Sequence, residues 1–193
     1  MTRKVLLGGI AGGVALFVWS VVAWTLLPLH ASSLRRLAAE DRVIAALVDA
    51  KTPEGLYVIP APPDNEGKTE EQSAAATEEW ESRASRGPVA TLAYRPGGRP
   101  PSRMFRPMAR GLGLALAAAL FSAWALSRAR IASHFGRVGF VLGLGLFGWV
   151  LGPAMLWNWF SYPADYAIAV LVDAVAGWAI VGVVQAGIVR PAP

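Results

Sequence analysis

The chain has 193 residues, of which 54% are hydrophobic and 16% charged, and its formal net charge is +5 at pH 7. Soluble domains average about 45–50% apolar and 25% charged residues, so the composition favours a membrane protein. The lack of cysteine excludes disulfides, thiolate metal sites and cysteine nucleophiles within this chain, and no basic cluster is interleaved with a recognition motif, so no nucleic-acid partner is expected.

Four apolar stretches are long enough to cross a bilayer as helices, since about 20 helical residues cover 30 Å of hydrocarbon. The predicted spans are residues 5–27, 111–126, 138–156 and 166–189, of which the second is the shortest. Arg3 and Lys4 resemble the start of a secretory signal, but the apolar run of such signals is usually only about 7–15 residues. The first stretch is therefore predicted to remain as a membrane span.

Lys and Arg residues beside the span ends predict the orientation, because short basic loops stay in the cytoplasm. Arg128, Arg130 and Arg137 join spans two and three, and basic residues also flank both termini. Both termini are therefore predicted to be cytoplasmic, in a bacterial inner membrane. The arginines before the second span oppose this orientation, but loops longer than about 60 residues count weakly.

The predicted fold class is mainly α, a four-helix transmembrane bundle with a small α+β extracytoplasmic insertion between spans one and two. Span one occupies residues 1–29, the polar domain residues 30–108, and spans two to four residues 109–193. Ser33 and the Thr69–Gln72 capping box mark the starts of two helices in the polar domain. Its predicted elements are a helix at 34–50, a strand at 56–59, a helix at 70–86, a strand at 89–94 and a basic, proline-rich linker at 95–107.

Small residues recur at intervals of four along the spans, a spacing that allows close helix approach in lipid. Span one has Gly8 with Gly12 and Gly9 with Gly13. We expect helix packing or partner contact at a set of residues in and between spans three and four, which are Gly139, Gly143, Gly148, Gly152, Asn158, Trp159, Ala169, Asp173 and Gly177. Pro153 is expected to bend the end of span three.

Asp173 is the one carboxylate within a predicted span, where an ionised group costs on the order of 2.5–3.5 kcal/mol near the bilayer centre. It should therefore face protein or water. One interpretation is a proton site, an ion site or a polar anchor for a partner. The other is a hydrogen-bonded acid that holds span four to its neighbours, with a tryptophan, Ser122 or Asn158 as the donor.

The two histidines, His30 and His134, are predicted to lie on opposite sides of the membrane, so they cannot share a metal or haem within one chain. His30 is expected to be a simple hydrogen-bonding group. The aromatic turn around Asn158 and Trp159 is typical of a membrane interface. No phosphate loop, nucleophile elbow or metalloprotease helix occurs, so neither an enzyme nor a cofactor nor a metal is predicted.

Several segments resemble those of small uncharacterised bacterial inner-membrane proteins with four spans. They are the glycine-rich first span through Trp24 to Pro28, Leu29 and His30, the segments 56–60, 87–89 and 158–163, and the span that holds Asp173. The resemblance covers most of the chain. It implies a multi-pass fold in the inner membrane and supplies no activity.

These features together predict a noncatalytic accessory or scaffold subunit of a larger membrane complex, with lipids and membrane proteins as partners. A photosynthetic or respiratory complex would suit its aromatic, histidine-poor character. The alternative is a small ion-coupled transporter that uses Asp173. An enzyme acting on lipids would need a polar interfacial cluster, for which Asn158, Asp165 and Tyr166 are the candidates.

Overall fold

The computed structural model describes residues 2–27, 29–98, 100 and 102–190, and this part of the chain is mainly helical. Its elements are α1 (Arg3–Thr25), α2 (Glu40–Asp49), β1 (Gly55–Ile59), α3 (Glu70–Arg86), β2 (Ala90–Tyr94), α4 (Phe105–Arg128), α5 (His134–Trp149), a π-helical turn (Val150–Ala154), α6 (Met155–Trp159) and α7 (Ala164–Ile188). The predicted linker 95–107 includes Arg99 and Pro101, which lie outside the described residues.

Four helical stretches of the described chain are long and apolar enough to cross a membrane, which indicates a multi-pass membrane protein. They are Arg3–Thr25, Phe105–Arg128, His134–Trp159 and Ala164–Ile188. The second begins several residues before the predicted 111–126, because the helix continues through the charged Arg106 and Arg110. Pro107 is tolerated there because the first-turn N–H that proline lacks would have no partner within the helix.

Contacts divide the chain into two units. The helix unit comprises Met1–Arg35, Pro100–Met155 and Pro163–Pro193, and the polar unit comprises Arg36–Arg99 and Leu156–Tyr162. The polar unit thus includes the aromatic turn after α5 in addition to most of the predicted domain 30–108. Thr91 Oγ1 of β2 donates a hydrogen bond of 2.8 Å to the backbone oxygen of Phe160, which attaches that turn to the sheet.

Helix α1 packs against both α4 and α7, and α5 packs on α7. Some glycines of α1 face α4 and others face α7. A Cβ on Gly13 would lie 2.7 Å from the Leu116 Cα of α4, and one on Gly12 would lie 2.9 Å from the Gln185 Nε2 of α7. Glycine at these positions therefore lets α4 and α7 approach the α1 backbone more closely than a larger side chain would permit.

Pro153 lies in the π-helical turn that follows α5. Its ring cannot donate a backbone hydrogen bond and would clash with the carbonyl four residues earlier in a regular α-helix. The wider π turn accommodates the ring and lets the helix resume at Met155. This is the position at which the sequence predicts a bend.

In the polar unit β1 and β2 are antiparallel, with a register from Gly55 opposite Tyr94 to Ile59 opposite Ala90. Helix α3 spans the predicted residues 70–86, and both hydrogen bonds of the Thr69–Gln72 capping box form. Trp80 Nε1 donates 3.2 Å to the Pro60 backbone oxygen. This bond attaches α3 to the segment after β1.

The predicted helix 34–50 is wrong in its first part, because α2 begins at Glu40 and Ala39 makes no side-chain cap. Ser33 was the expected N-cap. Instead, the backbone N–H groups of Ser33 and Leu34 both bond the His30 oxygen, at 3.2 and 3.3 Å. The chain is held in a turn there, since His30 is attached to α7, and the helix starts only beyond it.

Candidate functional site

Asp173 lies in the third turn of α7, nine residues after Ala164, or about 14 Å along the helix axis. Its side chain is 18% exposed. One turn later Gly177 is buried, and a Cβ there would meet Trp19 Cδ1 at 2.9 Å. Glycine at this position lets the Trp19 ring of α1 lie against α7 beside the carboxylate.

Trp19 is the donor on the first carboxylate oxygen. Its Nε1 donates to Asp173 Oδ1 at 2.6 Å and lies 3.2 Å from the Asp173 backbone oxygen. This bond joins the first and last membrane helices at a point where lipid could not solvate the carboxylate.

His30 contacts the second carboxylate oxygen, with Nε2 lying 3.3 Å from Asp173 Oδ2. The imidazole stacks on Trp24, with ring centroids 4.0 Å apart and an interplanar angle of 14°. The residue is only 3% exposed. The turn after α1 thus brings a second ionisable group beside the intramembrane acid, and Trp24 covers one face of it.

The predicted hydrogen-bond donors to Asp173 were a tryptophan, Ser122 and Asn158, and a tryptophan, Trp19, is the one observed. Ser122 is not, because its one hydroxyl proton is shared between Gln185 Oε1 and Ala119 O, each 3.0 Å from Oγ. Asn158 belongs to the polar unit. His30 was expected only to form a hydrogen bond, and its pairing with Asp173 was missed because the two residues are far apart in sequence and lie on different segments.

A second buried polar cluster joins α7 to α4. Gln185 is 0% exposed, and its Nε2 donates 2.8 Å to the Ala119 oxygen while its Oε1 accepts from Ser122. Both ends of the amide are therefore bonded. Gly12 makes room for this side chain on the α1 side.

Arg137 is buried near the start of α5. The sequence analysis had placed it in the cytoplasmic loop between spans two and three, as one of the basic residues that set the orientation. Its guanidinium donates to the backbone oxygens of Ala186, Ile131 and Ala132 at 3.2, 3.2 and 2.6 Å. Ala186 lies in the last turn of α7, where carbonyls have no partner within the helix. Arg137 therefore caps α7 and holds the loop between α4 and α5 against it.

The predicted contact residues fall into separate groups. Asp173 and Gly177 meet Trp19, whereas Ala169 is half-buried on the same helix. Asn158 and Trp159 are exposed in the polar unit. At four glycines of span three, an added Cβ would have no neighbour within 4 Å in the described part of the chain; they are Gly139, Gly143, Gly148 and Gly152.

Comparison with protein-family models, curated proteins and solved structures finds no match to this chain. The resemblance to four-span inner-membrane proteins therefore stays a prediction. The residues that the structure describes hold no group of three or more His, Asp or Glu side chains suited to a metal ion. Two features of the described chain bear on function, the Trp19–Asp173–His30 cluster and the outward glycines of α5.

Proposed function

We propose that this protein is a noncatalytic scaffold or accessory subunit of a larger complex in a bacterial inner membrane. In this proposal it is a four-helix transmembrane bundle with cytoplasmic termini and a small α+β insertion outside the cytoplasm. The outward face of α5 receives a transmembrane helix of a partner protein. The observation that carries the proposal is the composition of that face.

Four residues at intervals of four form the outward face of α5, with two glycines between two phenylalanines. Phe135 and Phe147 are exposed, and so are Gly139 and Gly143 between them. The opposite side of α5 holds Gly145, which packs against Trp178 of α7. Glycine is therefore present on both sides of one helix, but only one side has a neighbour in the described chain.

An unused glycine in a membrane helix is a cost, because glycine is about 1 kcal/mol less favourable than alanine in a helix interior. In lipid, helices associate through close backbone approach at small residues and not through hydrophobic exclusion. A partner helix that seats on Gly139 and Gly143, with Phe135 and Phe147 packing at either end, would offset that cost.

The test is purification in native nanodiscs followed by mass spectrometry of the proteins that remain attached. Gly143→Leu should release the partner, whereas Gly113→Leu should retain it. Gly113 is a matched control on α4, since a Cβ there also meets nothing within 4 Å in the described residues. Recovery of the unaltered protein as a monomer without any partner would reject the scaffold proposal, and recovery as a homodimer would replace the partner with a second copy.

A small ion-coupled transporter that uses Asp173 is the second candidate. The contact between His30 and Asp173 favours it, because ionisable residues within membrane spans are rare and often mark ion or proton pathways. Flux measured in proteoliposomes under a proton or sodium gradient tests it. Transport that disappears in Asp173→Asn supports this candidate, and an absence of flux from the unaltered protein excludes it for those ions.

A further inference from the structure

One face of the two-stranded sheet in the polar unit is apolar and largely uncovered. Four side chains share it, because residues alternate along a strand and opposite residues of an antiparallel pair point to the same side. They are Leu56, Val58, Thr91 and Ala93. Leu56 is 62% exposed and Val58 is 43% exposed. A two-stranded sheet is only marginally stable in water, so an open apolar face of this kind indicates a contact with another surface.

This face has no group that requires water. Its one polar side chain is Thr91, whose Oγ1 donates a hydrogen bond of 2.8 Å to the Phe160 backbone oxygen. The nearest charges along the strands lie at their ends, where Arg95 Nη2 is 2.8 Å from Glu54 Oε1 and the two charges balance. Burial of a polar group is costly only if its hydrogen bond is lost, so an apolar medium can cover this face at little cost.

The Thr91 bond also shows what lies next to the face. Phe160 belongs to the polar unit, as the sheet does, and lies in the turn between two candidate spans, which end at Trp159 and begin at Ala164. Such a turn lies at a membrane surface, because the chain enters hydrocarbon on both sides of it. Trp157 and Trp159 are exposed at the end of the first of these spans, and tryptophan is enriched at lipid headgroups. The apolar face therefore adjoins the end of a membrane span.

We propose that this face of the sheet rests on the bilayer surface, with Leu56 and Val58 at the boundary between lipid headgroups and acyl chains. The sheet gains there the apolar layer that it lacks in water, as an amphipathic helix does when it lies in the interface. Lipid is the occupant that the Phe160 contact favours, because lipid surrounds the span that this turn continues. The contact forms whether or not α5 has a partner, and on either side of the membrane.

The lack of cysteine makes the test direct, since a nitroxide label can be attached at one introduced cysteine at a time. In nanodiscs, oxygen collides mainly with labels in lipid and a nickel chelate with labels in water. Val58→Cys and Ile59→Cys are a matched pair, because the two side chains are 43% and 45% exposed but point to opposite faces. Ile59 lines a cavity with the exposed Arg83 and Arg86. We expect the ratio of oxygen to nickel collisions to be severalfold higher at Val58 than at Ile59.

A second position on each face keeps the test decisive if one variant does not fold. Leu56→Cys should match Val58→Cys, and Ala90→Cys, opposite Ile59 in the sheet, should match Ile59→Cys. Equal ratios on the two faces overturn the proposal, because the sheet then has no lipid-facing side. A label at Val58 or Leu56 that neither oxygen nor nickel reaches also overturns it, since a protein surface then covers the face.

Discussion

Gln185 and Asp173 are polar residues of the same helix, the first fully buried and the second 18% exposed at its side chain, and their surroundings differ. Gln185 has both ends of its amide bonded, to Ala119 and Ser122 of α4. The Asp173 cluster ends at His30 Nδ1, which has no partner in the described chain. Polarity within a membrane helix therefore does not by itself indicate function, and an incomplete hydrogen-bond network is the more informative sign.

The two clusters also differ in charge. The Gln185 cluster consists of an amide, a hydroxyl and a backbone carbonyl, none of which titrates in the physiological range. The Asp173 cluster consists of a carboxylate, an imidazole and an indole. Changes at Gln185 should therefore alter stability equally at all pH values, since no group of its cluster gains or loses a proton.

The largest effect is expected from Gly12→Val, which places a side chain where Gln185 lies. A Cβ at Gly12 would be 2.9 Å from Gln185 Nε2 and 3.2 Å from Val181 Cγ1, so α1 must move away from α7. We expect a loss of about 3 kcal/mol in the free energy of unfolding, at the upper end of overpacking costs. Unfolding in mixed micelles measures it, with Gly113→Val as the control. If both variants lose the same stability, close approach at Gly12 is not what joins α1 to α7.

Gln185→Leu should come next, with a loss of about 1 kcal/mol, because membrane hydrogen bonds average about 0.6 and reach about 1.7 kcal/mol in double-mutant cycles. Leucine is similar in size, so the change removes bonds with little change in volume. A cycle with Ser122→Ala isolates the bond between the two side chains, since the Ser122 hydroxyl also contacts the Ala119 oxygen. A loss that differs between pH 5.5 and pH 8 would remove the distinction between the two clusters.

The membrane helices could be predicted from sequence because hydropathy and length decide them. The paired glycines of α1 could also be assigned a role, since a spacing of four places Gly8 with Gly12 and Gly9 with Gly13. What the spacing could not indicate is which neighbour each pair meets, because that depends on how the helices are arranged. The same spacing in α5 leaves open space at Gly139 and Gly143, where an added Cβ would meet nothing within 4 Å in the described chain.

The partners of Asp173 were harder to predict. Its position in a span indicated a buried polar group, and tryptophan was among the expected donors. His30 was not, because the pattern of residues 34–50 predicts a helix that begins directly after Ser33. The turn at His30 depends on a contact with α7 that no local pattern of the sequence records.

Trp24→Leu should have a smaller effect on stability than Gln185→Leu, about 0.5–1 kcal/mol, since it removes one ring stack at the edge of the helix unit. It should also expose His30 to reagents, because the Trp24 ring covers one face of the imidazole. Diethyl pyrocarbonate should modify His30 faster in this variant, measured in a His134→Asn background that leaves His30 as the one histidine. Trp124→Leu is the control, as that ring lies near Phe121 on α4. Equal rates in the two variants would show that Trp24 does not protect the site.

A smaller effect than that of Trp24→Leu is expected from Arg35→Ala, farther along the same segment. Arg35 Nη2 lies 3.0 Å from Asp165 Oδ2, but the two side chains are 80% and 38% exposed. Exposed ion pairs contribute about 0.2–1 kcal/mol and are screened by salt, so a loss of about 0.3 kcal/mol at low salt should disappear near 1 M. The matched control is Arg36→Ala, whose longer contact of 3.8 Å with Glu40 should contribute less still.

The salt dependence of Arg35→Ala decides what holds the His30 turn in place. If the loss is small and screened, the turn is positioned by the buried contacts with Asp173 and Trp24, and the cluster keeps its geometry in any ionic medium. A loss above about 1 kcal/mol that persists at high salt would mean that the Arg35–Asp165 pair positions His30. The geometry of the Asp173 cluster would then depend on a surface contact. The Gln185 cluster has no such dependence, because its hydrogen bonds all lie within or between α7 and α4.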